Sequence, residues 1–129
     1  MRKEWIICLI VIFIVAVADI ITQNYTKKSV EVIDSKLETL KQELIKKEIE
    51  QEKVNEQMKG VMEVWKEKYE KLAYFIEHDE LEKVETELTS LSAHIDIEEY
   101  EDGVPELEKS IFILNHIKDK FKFDIKNIF

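Results

Sequence analysis

The sequence predicts an all-α protein: an N-terminal transmembrane helix followed by an amphipathic three- or four-helix bundle. Three observations lead there. Two glycines and one proline in 129 residues are too few for the tight turns of a β-sandwich or barrel. An uncharged apolar run from Trp5 to Ala18 stands near the N-terminus. After it, apolar residues recur every three or four positions almost to the end of the chain. The expected division is a membrane anchor over 1–26 and an acidic helical domain with an apolar C-terminal tail over 27–129.

The anchor comes first. Asp19 interrupts the apolar run, and Ile20 and Ile21 resume it. Counted from Trp5 to Thr22 the stretch spans about 27 Å as a helix, near the lower limit for a bilayer core of about 30 Å. Trp5 and Tyr25 stand at its two edges, where aromatic side chains favour the membrane interface. The competing reading is a signal peptide, with Arg2 and Lys3 as its basic region and Ala16-Val17-Ala18 as its cleavage site. The anchor is favoured because the apolar run continues past that site to Ile21. Arg2, Lys3 and the free amine before the span, against Lys27 and Lys28 after it, favour a cytoplasmic N-terminus and an extracytoplasmic soluble domain. The expected place is therefore the cell membrane, crossed once, with the bilayer contacted through Trp5–Ile21.

The helices of the soluble part follow in order. Val30, Ile33, Leu37, Leu40 and Leu44 form a heptad seam over two repeats. The seam fails at Lys47 and Gln51 and resumes with Val54, Met58, Val61, Trp65, Leu72 and Phe75. A hairpin near Glu50–Lys53 is favoured over one helix from 27 to 77, which would run about 75 Å with both seams uncovered. Asp79-Glu80-Leu81-Glu82 has the pattern of a helix N-cap, and Leu81, Val84, Leu88, Leu91 and Ile95 follow it as the next seam. Asp96–Gly103 reads as the one clear loop, with Pro105 in the first turn of the last helix. Leu107, Ile111, Leu114, Ile117 and Phe121 supply that helix with its apolar face. The rival for residues 30–44 is a parallel coiled coil, which would make the chain a homo-oligomer.

Charge and chemistry exclude more than they assign. Residues 23–129 hold 17 basic and 26 acidic side chains, 17 − 26 = −9, which equals the net charge of the whole chain. That balance argues against nucleic acid as a partner. Cys8, the single cysteine, lies in the apolar run, so neither a disulfide framework nor a cysteine-ligated zinc site is available. No nucleophile elbow, phosphate-cradling glycine loop or Cys–His pair occurs in the soluble part, so no catalytic residue and no cofactor are expected. His78 and Glu82 stand four apart and could share a helix face, but no H-E-x-x-H or E-x-x-H pair is present, and no metal site is assigned. The acidic loop lacks the order of an EF-hand, with Lys109 where its bidentate Glu would stand. Gly60 is read as a close helix contact, His116 as a satisfied core histidine, and Trp65, Tyr69, Tyr74 and Phe75 as core and rim.

The C-terminus is unusually apolar. Phe121, Phe123, Ile125, Ile128 and Phe129 crowd the last nine residues, with a partly strand-like alternation. The tail either folds back onto the bundle or serves as a docking element, with Ile125, Ile128 and Phe129 as its contacts.

Several of these segments together resemble a known family. Trp65, Glu77-His78-Asp79-Glu80-Leu81, Leu114-Asn115-His116-Ile117 and Asn127-Ile128-Phe129 stand in the order seen in the bacterial family catalogued as domain of unknown function 4363. Its members are short proteins of Gram-positive spore-formers, with an N-terminal membrane segment and a helical body. The chain departs from that pattern in lacking a Trp near Val54. The resemblance implies the same anchored helical architecture and no activity. It draws attention to His78, His116 and Asn127 as a structural polar cluster that would pin the tail. The expected function is a non-enzymatic, membrane-anchored helical interaction module whose partner is another envelope or multi-pass membrane protein. The alternative is a metal- or pH-responsive envelope module using His78 and His116. A carboxylate hydrolase is a distant third.

Overall fold

The computed structural model describes the backbone of residues 2–128 and the side chains of residues 2–120. Its first helix, α1 (Arg2–Leu44), is 43 residues long, about 64 Å at 1.5 Å per residue. It is two helices in chemical terms. From Arg2 to Val15 every side chain is exposed, and an 18-residue window here has mean hydropathy 2.9 with none of it buried. This stretch is long and apolar enough to cross a membrane. From Thr26 onward the helix buries one stripe, Thr26, Ser29, Val30, Ile33, Leu37, Leu40 and Leu44. No break separates the halves, because neither glycine nor proline interrupts them.

Three more helices complete the bundle: α2 (Gln51–Leu72), α3 (His78–Asp96) and α4 (Tyr100–Ile128). Short turns make each antiparallel to the one before it. α1 packs on α2 and α4, and α3 packs on α4 and more lightly on α2; among the described residues the diagonal pairs do not approach. The arrangement is an up-down-up-down four-helix bundle raised on the apolar half of α1. Its two ends therefore differ. The α2–α3 turn and the C-terminal end of α4 lie at the base beside the apolar segment. The α1–α2 and α3–α4 turns lie at the far tip.

The apolar seams read from the sequence are buried, with Phe75 and Ile111 half-buried at their edges and the Phe121 side chain outside the described residues. Val30 to Leu44 on α1, Val54, Met58, Val61, Trp65 and Leu72 on α2, Leu81 to Ile95 on α3, and Leu107, Leu114 and Ile117 on α4 form one core. Each side chain of Leu or Ile size withdrawn in this way contributes about 1.5–3 kcal/mol. The seam of residues 30–44 thus finds its cover within the chain, where a parallel coiled coil would have taken it from a second copy.

The turns differ in detail from the expectation. The first lies at 45–50, slightly before Glu50–Lys53. Glu43, nearly buried at the end of α1, holds it by pairing with Lys46 at 2.9 Å and Lys53 at 3.1 Å. α3 begins at His78 with Glu77 at its N-cap, and no side chain caps it, so Asp79 falls inside the first turn instead of before it. There it still meets the positive end of the helix dipole. Asp96–Gly103 is mostly helix: only 97–99 separate α3 from α4. The turn closes with the Glu99 N–H donating to the His94 carbonyl (2.8 Å) and the Glu98 N–H to the Ile95 carbonyl (3.1 Å). This is a Schellman motif, and Glu98 takes its left-handed position at φ 62°. Pro105 consequently stands in the second turn of α4, costing the bond its N–H would have made to Glu101.

Neither glycine has the role expected of it. A Cβ on Gly60 would meet nothing within 4 Å, so it makes no close helix contact. A Cβ on Gly103 would come within 3.1 Å of Leu91 Cδ1 and 3.6 Å of His94 Cβ. Gly103, buried inside α4, is what lets α3 and α4 close together. The backbone of the tail is helical to Ile128, not strand-like.

Candidate functional site

The base of the bundle is where the apolar segment becomes a folded domain. Thr22 and Thr26 return their hydroxyls to the carbonyls of Ala18 and Thr22, at 2.8 and 2.9 Å, which satisfies both within the helix at the exit of the apolar run. One turn on, the Tyr25 ring meets Phe75 edge to face, with centroids 6.0 Å apart and planes at 87°. The ammonium groups of Lys68 and Lys71 stand 5.6 and 5.8 Å from the Tyr25 centroid, within cation–π range. Tyr25, read from sequence as an interfacial aromatic, thus also ties α1 to α2 and to the α2–α3 turn. Lys120 on α4 approaches Glu77 and Glu80 at 3.8 and 3.9 Å and fastens the fourth helix to the same turn. Between α1 and α4, Gln23, Asn24 and Lys27 line a cleft with Lys118 and Asp119.

The histidines fall in unexpected places. His78 is exposed at the first position of α3. His116 is also exposed, in an open groove lined by Glu80, Lys83, Phe112 and Ile113, so it is not a core histidine. The side chains of Asn127, Ile125 and Ile128, and all of Phe129, lie outside the described residues. So do the third member of the His78–His116–Asn127 cluster and the docking contacts of the tail. Among the described residues no group of three or more His, Cys, Asp or Glu converges to hold a metal ion. His94 is the histidine drawn into a helix interface. Its Nδ1 lies 3.2 Å from Glu106 Oε2, an ion pair when the imidazole is protonated, and neither atom makes a hydrogen bond. Only the register of α3 against α4 brings these two together, and no local signal in the sequence carries it.

The α1–α4 interface holds a second polar feature that spacing does not reveal. Asp34 is half-buried, and its Oδ1 has no hydrogen-bond partner. Burial pushes its carboxyl up to about 6, and the negative charges of Glu38 and Glu31 add to the effect. The Asn115 side chain and the Lys118 ammonium pull the other way. One turn pair along, Lys41 and Glu108 form an ion pair across the same interface. At the tip, Lys46 and Lys53 hold the Glu43 carboxyl below its ordinary value.

Among the described residues, Phe112 is a conspicuous exposed apolar side chain on the outer face of the α3–α4 pair, with Ile97 exposed in the turn between them. Phe112 is 72% exposed, on the groove that carries His116 and Lys83. Sequence spacing hides it, because Phe112 lies one position off the buried stripe of α4. The described grooves of the bundle are open and lined mostly by charged and polar side chains.

Neither curated proteins nor solved structures match the chain. A family profile does, over residues 20–128. That span takes in all of α2, α3 and α4, the bundle half of α1 and the last residues of its apolar run. The four helices that build the base, the tip and the α3–α4 groove are therefore a family fold, and the chain belongs to the family described as Domain of unknown function (DUF4363).

Proposed function

We propose that this protein is a single-pass, membrane-anchored helical module that binds a neighbouring envelope protein and carries out no chemistry of its own. One observation supports this above the rest. The N-terminal half of α1 is a fully exposed apolar helix, continuous with a bundle that has already buried its own core. Burying the sixteen apolar side chains between Trp5 and Ile21 in water would require a partner with an extended apolar surface, whereas a bilayer covers them at once. The same rigid helix then sets the domain at a fixed height above the membrane. The basic residues Arg2 and Lys3 hold the N-terminus in the cytoplasm and leave the bundle outside.

The surface for the partner is the α3–α4 face around Phe112. An exposed aromatic ring flanked by Lys83, Glu80 and His116 has the make-up of an interface anchor with a polar rim. A photoreactive phenylalanine at position 112 tests the reading in intact cells. The expected result is one discrete crosslinked envelope protein, unaffected by chelator and lost with Phe112→Asp. Crosslinking spread over many proteins, or none, would sink it, and loss on chelation would favour a metal-dependent module instead.

A further inference from the structure

We infer that the α3–α4 groove around Phe112 receives a basic amphipathic helix, a segment of the partner that stands clear of the membrane. The inference rests on the proposed partner surface and deepens it by naming the chemistry of what docks there.

The groove extends beyond its aromatic anchor. Phe112, Ile113 and His116 on α4 line it with Glu80 and Lys83 on α3. Past Lys83 and Ile113 it continues along Asp79, Glu82 and Glu87. Its two walls differ in chemistry. The α4 wall supplies an exposed phenyl ring, the half-buried Ile113 and an imidazole. The α3 wall supplies four carboxylates against one ammonium. α3 as a whole holds six acidic side chains and one lysine, a charge of −5, more than half of the net −9 of the chain.

Most of the charge in the groove is unmatched. Among the described residues Asp79, Glu82 and Glu87 form no ion pair, and Glu80 has only Lys120, at 3.9 Å. Lys83 stands one turn from both Asp79 and Glu87 and offsets one of the four charges. The Thr86 hydroxyl is returned to the Glu82 carbonyl at 2.8 Å, which leaves the carboxylates as the main acceptors. Glu87 is half-buried beside Ile113, where an uncompensated carboxylate is costly. A cation brought by a partner removes that cost.

Register sets the height of the groove. Lys41 pairs with Glu108 and Asp34 meets Asn115, so α1 and α4 advance one residue for one. Phe112 thus stands level with Leu37, about 24 Å past Ile21, where the apolar run ends. His94 against Glu106 and Glu80 against Lys120 set α3 on α4 in the same way. Asp79 is thereby level with Lys28, about 10 Å past Ile21. A headgroup layer is about 5–7 Å deep, so on the anchored reading the whole groove lies beyond it. Anionic lipid would in any case be repelled from these carboxylates. The occupant is therefore protein. A second copy is a poor fit, because the domain it would present is as acidic as the groove. From Asp79 to Phe112 the groove runs about 14 Å, or about two and a half helical turns. A helix of that length lays an apolar side chain on Phe112 and Ile113 and turns lysines or arginines toward the α3 carboxylates.

The test uses the full chain in its native membrane, with the photoreactive phenylalanine at position 112. The crosslinked peptide of the partner is sequenced by mass spectrometry. The expected attachment point lies in a segment with lysines or arginines one helical turn to either side. Glu82→Lys with Glu87→Lys is expected to cut the crosslinking yield about tenfold, because like charges then face each other. Glu82→Gln with Glu87→Gln cuts it in the same direction and serves if the reversed pair fails to fold. Glu63→Lys with Glu67→Lys, exposed on α2, leaves the yield unchanged. Attachment to an acidic or neutral segment, to lipid or to a second copy of the chain overturns the inference. So does a yield that ignores Glu82 and Glu87, or one that falls equally with the α2 pair, since net charge alone then steers the encounter. A discrete crosslink to a neutral segment of one envelope protein leaves the partner surface standing while the basic helix falls. Absence of any discrete crosslink overturns both readings.

Discussion

Asp34 gives the α1–α4 interface a pH response. Its carboxyl titrates near 6 when folded, against an ordinary value of 3.8. The folded state therefore holds this proton more tightly, and the contribution of Asp34 to stability rises as pH falls from about 6 toward 4. Above 6 the buried charge is a standing cost. Asp34→Asn should raise stability at pH 7.5 by about 1 kcal/mol, discounted for the partial exposure of the group, and lose most of that advantage at pH 4. Denaturant melts of both proteins at the two pH values check this; a gain independent of pH would contradict it. The glycines make an opposed pair at the same scale. Gly60→Ala should stabilise by about 0.5–1 kcal/mol, since a helix interior favours alanine and the site is open. Gly103→Ala should lose about 1 kcal/mol despite the same propensity gain, because Leu91 is fully buried and cannot yield. Composition counted both glycines alike; only the packing of α3 on α4 tells them apart.

At the scale of the helices, periodicity carried most of the information. The stripes from Val30 to Leu44 and from Leu81 to Ile95 needed nothing but spacing, because a residue every three or four positions has only one way to face a core. Boundaries were harder. Asp96–Gly103 reads as loop by its glycine and acidic run, yet α4 starts at Tyr100. Acidic residues also suit a helix N-terminus, and Gly103 is demanded by a neighbour distant in sequence. The left-handed turn was hidden for a related reason, since Glu98 occupies a position that glycine usually fills. Glu98→Gly should therefore stabilise the α3–α4 turn by about 0.5–1 kcal/mol, with a matching rise in melting temperature. No change, or a fall, would mean that the turn gains more from the Glu98 charge than it loses in backbone strain.

For the whole molecule, what spacing cannot supply is register. His94 against Glu106, Asp34 against Asn115 and Tyr25 against Phe75 are each set by how one helix slides along another. That is why His78 and His116 drew attention in the sequence while His94 and Asp34 became the polar features of the helix interfaces. Register also gives the bundle a base and a tip, and so gives the apolar half of α1 its meaning. One helix runs without a break from Arg2 to Leu44, carrying exposed apolar side chains at one end and core side chains at the other. The central claim is that this helix stays intact and holds the bundle to the membrane. Alkaline extraction of cell membranes, followed by intact-mass measurement of the protein, tests it most directly. The protein should remain in the membrane pellet at the mass of the full chain. Release into the alkaline supernatant, or a mass lacking the residues through Ala18, would contradict it.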